Sequence, residues 1–247
     1  LSLSGMIWGK ILRSPHAHAK ILNIDVSKAE AHPDVIAIAT YQDFPHASAE
    51  SSNGKETPAD LLDLSRNILA DDKVLYHGHA IAAIAARTEA AAESALSLIE
   101  IDYEVLSPVM DVADAMKPES AVLHEDMFTQ GLAEVPDTSS NIASRMELKK
   151  GDIDAGFAEA EVIVERDYYT PTVHQGYIEP HATTVSIDED GQAMIWCSTQ
   201  GHFDVRASVA RLLAMELGKI KVVASEIGGG FGGKEEYPSI IAAHATL

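Results

Sequence analysis

The sequence predicts an α+β chain in two structured parts, and three observations lead there. Strand-like apolar runs and helix-like runs interleave over about the first 115 residues. The pattern then weakens from Lys117 to Asn141, where Pro118, Gly131, Pro136 and Ser139-Ser-Asn141 mark a linker. A second series of strand-like runs follows and closes on strand, glycine loop and helix.

Met6 to Leu12 and Ala19 to Asp25 have strand composition, and Arg13-Ser-Pro-His-Ala-His18 supplies a proline turn between them. Val35 to Ala39 is a short buried strand. Residues 45 to 67 are polar, carry prolines and Ser51-Ser-Asn-Gly54, and read as a long surface loop. Val74 to Tyr76 and Ala80 to Ala86 are strands on either side of a His77-Gly-His79 turn. From Thr88 to Ile99 alanines and leucines recur at helical spacing, with Thr88 as N-cap. Ile101 to Leu106 is again a strand.

In the second part, Met146 to Lys149, Val162 to Tyr169, Thr183 to Ile187 and Met194 to Ser198 have strand patterns. Asp152 to Ala158 is a short helix with an aspartate cap, and Asp188-Glu-Asp-Gly191 is a hairpin turn. His202 to Leu217 is a helix whose apolar stripe runs through Phe203, Val209, Leu212, Leu213 and Leu217, with Gly218 placed to end it. Ile220 to Ser225 is a strand, and Ile240 to Leu247 an apolar helix. The expected division is residues 1–117, a linker over 118–141, and residues 142–247. A chain that stops inside an apolar helix reads as one piece of a larger assembly.

Charge and cysteine content exclude several functions. With 38 acidic against 18 basic residues the net charge is −20. Non-specific nucleic-acid binding and attachment to anionic lipid both need positive surface, so neither is expected. No apolar run is long enough to span a bilayer. The single cysteine, Cys197, allows no internal disulfide and no iron–sulfur cluster held by this chain alone. It fits a reducing, cytoplasmic setting and reads as a small buried residue of a strand.

The most informative segment is Gly228-Gly-Gly-Phe-Gly-Gly233, followed by Lys234 and Glu235. Five glycines belong where the backbone must approach something closely or adopt positive φ. Strand, glycine loop and helix together form a cradle for an anion or cofactor. The hexamer satisfies G-x-G-x-x-G, so a dinucleotide reading is available, but its confirming acid falls beyond residue 247. Glu235 occupies the hydroxyl position of a phosphate-binding P-loop, where a carboxylate repels phosphate, and nucleotide hydrolysis is rejected. His16 and His18, His77 and His79, and His174 and His181 come in pairs without a third ligand, which favours turn or core roles over metal. Gln200 carries a donor and an acceptor on one amide and is suited to orienting an oxo or hydroxo group.

Several segments in order resemble the molybdenum-binding subunit of the xanthine dehydrogenase/aldehyde oxidase family of molybdenum hydroxylases. Gly9 to Ile21 and His77 to Ala82 resemble its α/β hammerhead domain. Lys149 to Phe157 resembles the entry into its molybdopterin-binding α+β domain. His174 to His181, Ser198 to Gln200 and Gly228 to Glu235 resemble that domain's successive signatures. The resemblance implies an oxidoreductase that inserts a water-derived oxygen into a C–H bond of an N-heterocycle or an aldehyde. It implies molybdopterin as cofactor, with the mononucleotide or cytosine dinucleotide form open. FAD and 2Fe-2S clusters would sit on partner domains or subunits of an oligomeric complex. Gln200, Gly230, Phe231 and Gly232 match the family's cofactor-facing positions, Gln200 and Phe231 those nearest molybdenum. Gly232 matches a glycine whose backbone N–H faces the metal. Glu235 matches a substrate-contacting glutamate of purine-hydroxylating members. The family's general-base glutamate, substrate-orienting arginine and aromatic clamp lie C-terminal to residue 247. The chain alone is therefore expected to be inactive and to need the rest of the molybdopterin domain. A non-catalytic assembly subunit and a dinucleotide-binding oxidoreductase are the alternatives.

Overall fold

The computed structural model describes residues 1–45, 59–134 and 136–247. In chain order the elements begin β1 Trp8–Arg13, β2 Ala19–Asp25, α1 Ser27–Glu30, β3 Val35–Thr40, α2 Ala59–Ile68, β4 Lys73–Val74, β5 Ala80–Ala86 and α3 Glu89–Leu96. They continue β6 Glu100–Val105, α4 Val112–Ala115, α5 Ile153–Glu159, β7 Thr183–Ile187, β8 Ala193–Cys197, α6 His202–Leu212, β9 Ile220–Ala224 and α7 Tyr237–Thr246. Contacts divide the chain into two units. One joins Leu1–Leu106 to His174–Leu247, and the other is Ser107–Val173.

The first unit contains three three-stranded sheets, ordered β1-β5-β3, β4-β2-β6 and β7-β8-β9. Strand β5 reads Ala-Ile-Ala-Ala-Ile-Ala-Ala and is buried almost throughout, because it is central in its sheet and covered by α3. Its alanines let Ala91, Ala92 and Ala95 of α3 pack closely against it. Thr88 caps α3, its hydroxyl accepting from the Ala91 N–H at 3.1 Å. In the second sheet Lys20 lies opposite Glu104 and pairs with it across the strands. The third sheet is a β7–β8 hairpin, turned at Gly191 with φ +74°, plus β9 parallel to β8.

The two parts of this unit share a core. Tyr41, Phe44, Ile68, Leu69 and Ala80 cluster with Leu212 of α6 and Ala243 of α7. Two buried histidines close the C-terminal end of α2, whose last carbonyls lack intrahelical donors. His79 Nε2 bonds the Arg66 carbonyl at 2.8 Å, and His244 Nε2 bonds the Ile68 carbonyl at 2.7 Å. The Leu75 N–H donates to His79 Nδ1, so Nε2 carries the proton and donates.

Three expectations are corrected. Residues 59–67 are helix α2 instead of loop. Leu61, Leu64 and Ile68 fall on one face and pack into the shared core, which outweighs the polar context upstream. Residues 46–58 of that predicted loop lie outside the described residues. Helix α6 stops at Leu212, short of Leu217 and Gly218. Ala214, at φ +51°, takes the left-handed position instead, and Leu217–Lys219 forms a separate 3-10 turn. Met146 to Lys149 and Val162 to Tyr169 form no strand. Their alternation is strand-like, but among the described residues no neighbouring strand supplies the ladder bonds.

The second unit has little regular structure. Its best-tied point is the Asn141 carboxamide, which accepts from the Leu123 N–H and donates to the carbonyls of Ala115 and Ala121. Helix α5 is capped as expected by Asp152, which accepts from the Ala155 N–H at 3.0 Å. An open apolar depression of about 280 Å³ is lined by Ile153, Phe157, Val162, Ile163 and Val164.

Candidate functional site

The sequence-predicted residues meet at one end of the third sheet. Strand β8 ends at Cys197 and leads into Ser198-Thr-Gln200; β9 ends at Ala224 and leads into the glycine loop. The two segments are stitched together by backbone and side chain. The Gln200 N–H donates to the Lys234 carbonyl at 2.7 Å, and the Thr199 hydroxyl donates to the same carbonyl at 3.2 Å.

Gln200 sits in the mouth of the loop. Its Oε1 accepts from the Gly232 N–H at 3.1 Å and the Lys234 N–H at 3.2 Å. Both partners are donors, so the atom facing them must be the oxygen, and the carboxamide cannot be flipped. The Nε2 amino group is left without a partner among the described residues. It is therefore a fixed, exposed donor beside the loop. An added Cβ at Gly230 would lie 2.4 Å from Gln200 Oε1, so a side chain there would displace the Gln200 carboxamide. The Gly232 N–H, expected to face a cofactor, is taken up here by Gln200.

Phe231 has φ +50°, rare for a residue with a side chain, and the residue is 75% exposed. Such backbone persists only where its surroundings enforce it, and it concentrates at functional sites. Glu235 is exposed and has no partner among the described residues, so nothing draws it into the Gln200 cluster.

Reading the sequence missed the layer beneath the loop. Lys234 is fully buried, and its ammonium pairs with Glu179 at 2.5 Å and stands 5.1 Å from the centre of the Tyr177 ring. Glu179 Oε2 also accepts from the Gly228 N–H at 2.8 Å. The Lys234 hydrogen bond, with the Gly228 N–H second, holds the Glu179 carboxyl below the usual carboxylate range. A lysine directly after a glycine run was a usable signal, because lysine is almost never fully buried without a partner.

Two histidines flank this layer. The Gly176 N–H donates to His174 Nδ1, so His174 Nε2 carries the proton and faces the Tyr177 hydroxyl at 3.3 Å. That hydroxyl lies 2.6 Å from His181 Nε2. Burial first, and then the Lys234 charge, lowers the His181 pKa and favours the neutral ring. His181 Nδ1, Thr183 Oγ1 and Ser198 Oγ are buried without a hydrogen-bond partner among the described residues. The Tyr237 ring packs on His181, and its hydroxyl accepts from Arg13 at 3.1 Å. Among the described residues no group of three or more His, Cys, Asp or Glu side chains is arranged to hold a metal directly. Burial pushes the Cys197 thiol up to about 11, which makes it an inert core residue, as expected.

Comparison with known proteins identifies the two parts. Residues 1–107 match the aldehyde oxidase and xanthine dehydrogenase a/b hammerhead domain, and residues 135–247 match the molybdopterin cofactor-binding domain. The chain belongs to the xanthine dehydrogenase/aldehyde oxidase family of molybdenum hydroxylases. Its hammerhead domain precedes its molybdopterin-binding domain, and the α+β class is as predicted.

Among family members, the chain is 35% identical to the probable hypoxanthine oxidase XdhD of Escherichia coli K12, over 92% of this chain and 26% of that protein. It is 33% identical to the nicotinate dehydrogenase large molybdopterin subunit of Eubacterium barkeri, over 94% of this chain and 50% of that one. The solved CO dehydrogenase of Oligotropha carboxidovorans superposes with a TM-score of 0.76 at 31% identity, covering 95% of this chain and 29% of that one. The chain thus spans between a quarter and a half of the length of these relatives. These relatives are oxidoreductases. The glycine loop also lacks a dinucleotide-binding layout. It wraps the side chains of Gln200 and Glu179, and α7 begins only at Tyr237, four residues beyond Gly233.

Proposed function

We propose that this chain forms part of a molybdenum hydroxylase that inserts a water-derived oxygen into a C–H bond of an N-heterocycle or an aldehyde. The observation that carries the reading is the locked Gln200 carboxamide. Two loop N–H groups fix its oxygen, so its amino group is presented as a donor where an oxygen-rich cofactor would lie. The unpartnered His181 Nδ1, Thr183 Oγ1 and Ser198 Oγ are further polar atoms for which a bound polar group would be a partner. On both counts the residues fit molybdopterin. The Gln200 amino group and the loop at Gly230 and Phe231 would hold it, with Gly232 fixing Gln200 through its N–H, and the bound group supplies two-electron oxidation and oxygen transfer.

This chain's own residues do the positioning. Gln200 donates a hydrogen bond from a fixed direction and needs no reorientation during turnover, which is how preorganised donors stabilise developing charge. Gly230 admits the Gln200 carboxamide, and Phe231 presents an exposed ring from a strained backbone. Glu235, exposed beside the loop, would meet the ring nitrogen of a heterocyclic substrate. The hexamer's remaining N–H groups, at Gly229, Gly230 and Phe231, have no acceptor among the described residues.

The proposed partners are the remainder of the molybdopterin-binding subunit, supplying the general base, and subunits or domains that carry FAD and 2Fe-2S. Support comes from relatives whose names give them as subunits, such as the gamma subunit of the 6-hydroxypseudooxynicotine dehydrogenase complex. The chain's single, buried cysteine also leaves it without ligands for a cluster of its own. No helix of the described residues is long and apolar enough to cross a membrane. A cytoplasmic location is proposed, in keeping with the lone thiol.

The decisive test is metal and pterin analysis of the protein purified together with its neighbouring gene products. Molybdenum near one per complex, with a pterin, is expected. A stable complex without either would remove the assigned roles of Gln200 and Phe231 and leave an assembly subunit.

A further inference from the structure

The loop is held from below by a single carboxylate oxygen. Glu179 Oε2 accepts from the N–H of Gly228, the first glycine, and from Nζ of Lys234, the residue after the last glycine. Both ends of the hexamer are thereby tied to one atom. Lys234 is fully buried, and among the described residues its charge meets this carboxylate and the Tyr177 face. Pro180 follows Glu179 and restricts the backbone that carries it to extended conformations. Gln200 then holds Gly232 and the Lys234 N–H from the other side. Phe231, between these ties, is the residue forced to φ +50°.

We propose that Glu179 is a positioning residue, its pairing with Lys234 and Gly228 setting the conformation of the glycine loop and so the direction of its free N–H groups. The inference rests on the reading of this loop as the cofactor-facing one. Glu179 acts through the backbone, and no contact with cofactor or substrate is required of it. An ion pair that only stabilised the fold would be lost without any selective effect on the loop.

The test is amide hydrogen exchange on the chain in its assembled complex, prepared without cofactor, in wild type, Glu179→Ala and the double variant Glu179→Ala/Lys234→Met. The single variant strands a buried ammonium and can unfold the chain. The double variant removes that charge as well and isolates the loss of the tie. Exchange across Gly228 to Gly233 is expected to rise about tenfold or more in the double variant, with β5 and α6 unchanged. Loop exchange within about twofold of wild type in the double variant would overturn the proposal, as would a rise spread equally over β5 and α6. Because the measurement needs no cofactor, it is separable from the proposed function. A loosened loop in the double variant, alongside a wild-type complex that carries no molybdenum, would sink the enzymatic reading and leave the brace standing.

Discussion

Gln200 is the residue whose chemistry is most sharply constrained, because its oxygen is spoken for and only its amino group remains. Gln200→Glu keeps an acceptor for the Gly232 and Lys234 N–H groups and deletes the outward donor. In the assembled complex, turnover is expected to fall about a hundredfold or more, with molybdenum content near that of wild type. A loss of metal in step with activity would show that the Gln200 donor is needed to retain the cofactor and not only to orient it. Gly230→Ala would push the Gln200 carboxamide off the Gly232 and Lys234 N–H groups and should destabilise by about 1 kcal/mol, read from a denaturant midpoint.

His244 makes a pH prediction. Burial lowers its pKa to about 4 from the ordinary 6.5, and Nδ1, where the second proton would sit, has no acceptor among the described residues. As pH falls, the unfolded chain takes up the proton first. The stability is complete above about pH 6.5 and is lost progressively down to about pH 4, by up to about 3 kcal/mol. His244→Gln should flatten that slope in pH-dependent urea melts. The resemblance marked Gln200 and the glycines because their residue types are unusual at that spacing. Glu179 was passed over because its partner is 55 positions away, and nothing local announces a carboxylate that serves a distant lysine.

Among the elements, those defined by local pattern were legible and those defined by a distant partner were not. Strands β2 and β5 stand at their expected limits, and Thr88 and Asp152 cap the helices they were assigned. Helix α2 was hidden because its signal is three apolar residues completed by α6 and α7. Val162 to Tyr169 erred in the opposite direction, with a clear alternation but, among the described residues, no strand to pair with. Caps can be tested directly. Thr88→Ala deletes the acceptor for the Ala91 N–H and should cost about 1 kcal/mol, a drop of about 2–4 °C in Tm. An unchanged Tm would mean that α3 is held by its alanine face alone.

For the whole molecule, the apolar residues of the second unit point to assembly. Val162, Val164, Tyr168, Tyr169 and Val173 are all more than two-thirds exposed, far more apolar surface than an isolated segment normally leaves in water. With the remaining part of the molybdopterin-binding subunit present, amide exchange over residues 161–173 is expected to slow at least tenfold as ladder bonds form. Unchanged exchange in a stable complex would place the interface elsewhere.

The core shared by the two ends of the first unit also bears on biosynthesis. Tyr41, Phe44 and Ile68 are made before Leu212 and Ala243, which complete their cluster from roughly 140 to 200 residues further along the chain. Contacts of such long sequence separation close slowly. On the ribosome, the first hundred residues would wait with part of their apolar surface uncovered until α7 emerges. That interval, more than the finished fold, is when its apolar surface would be most open to aggregation.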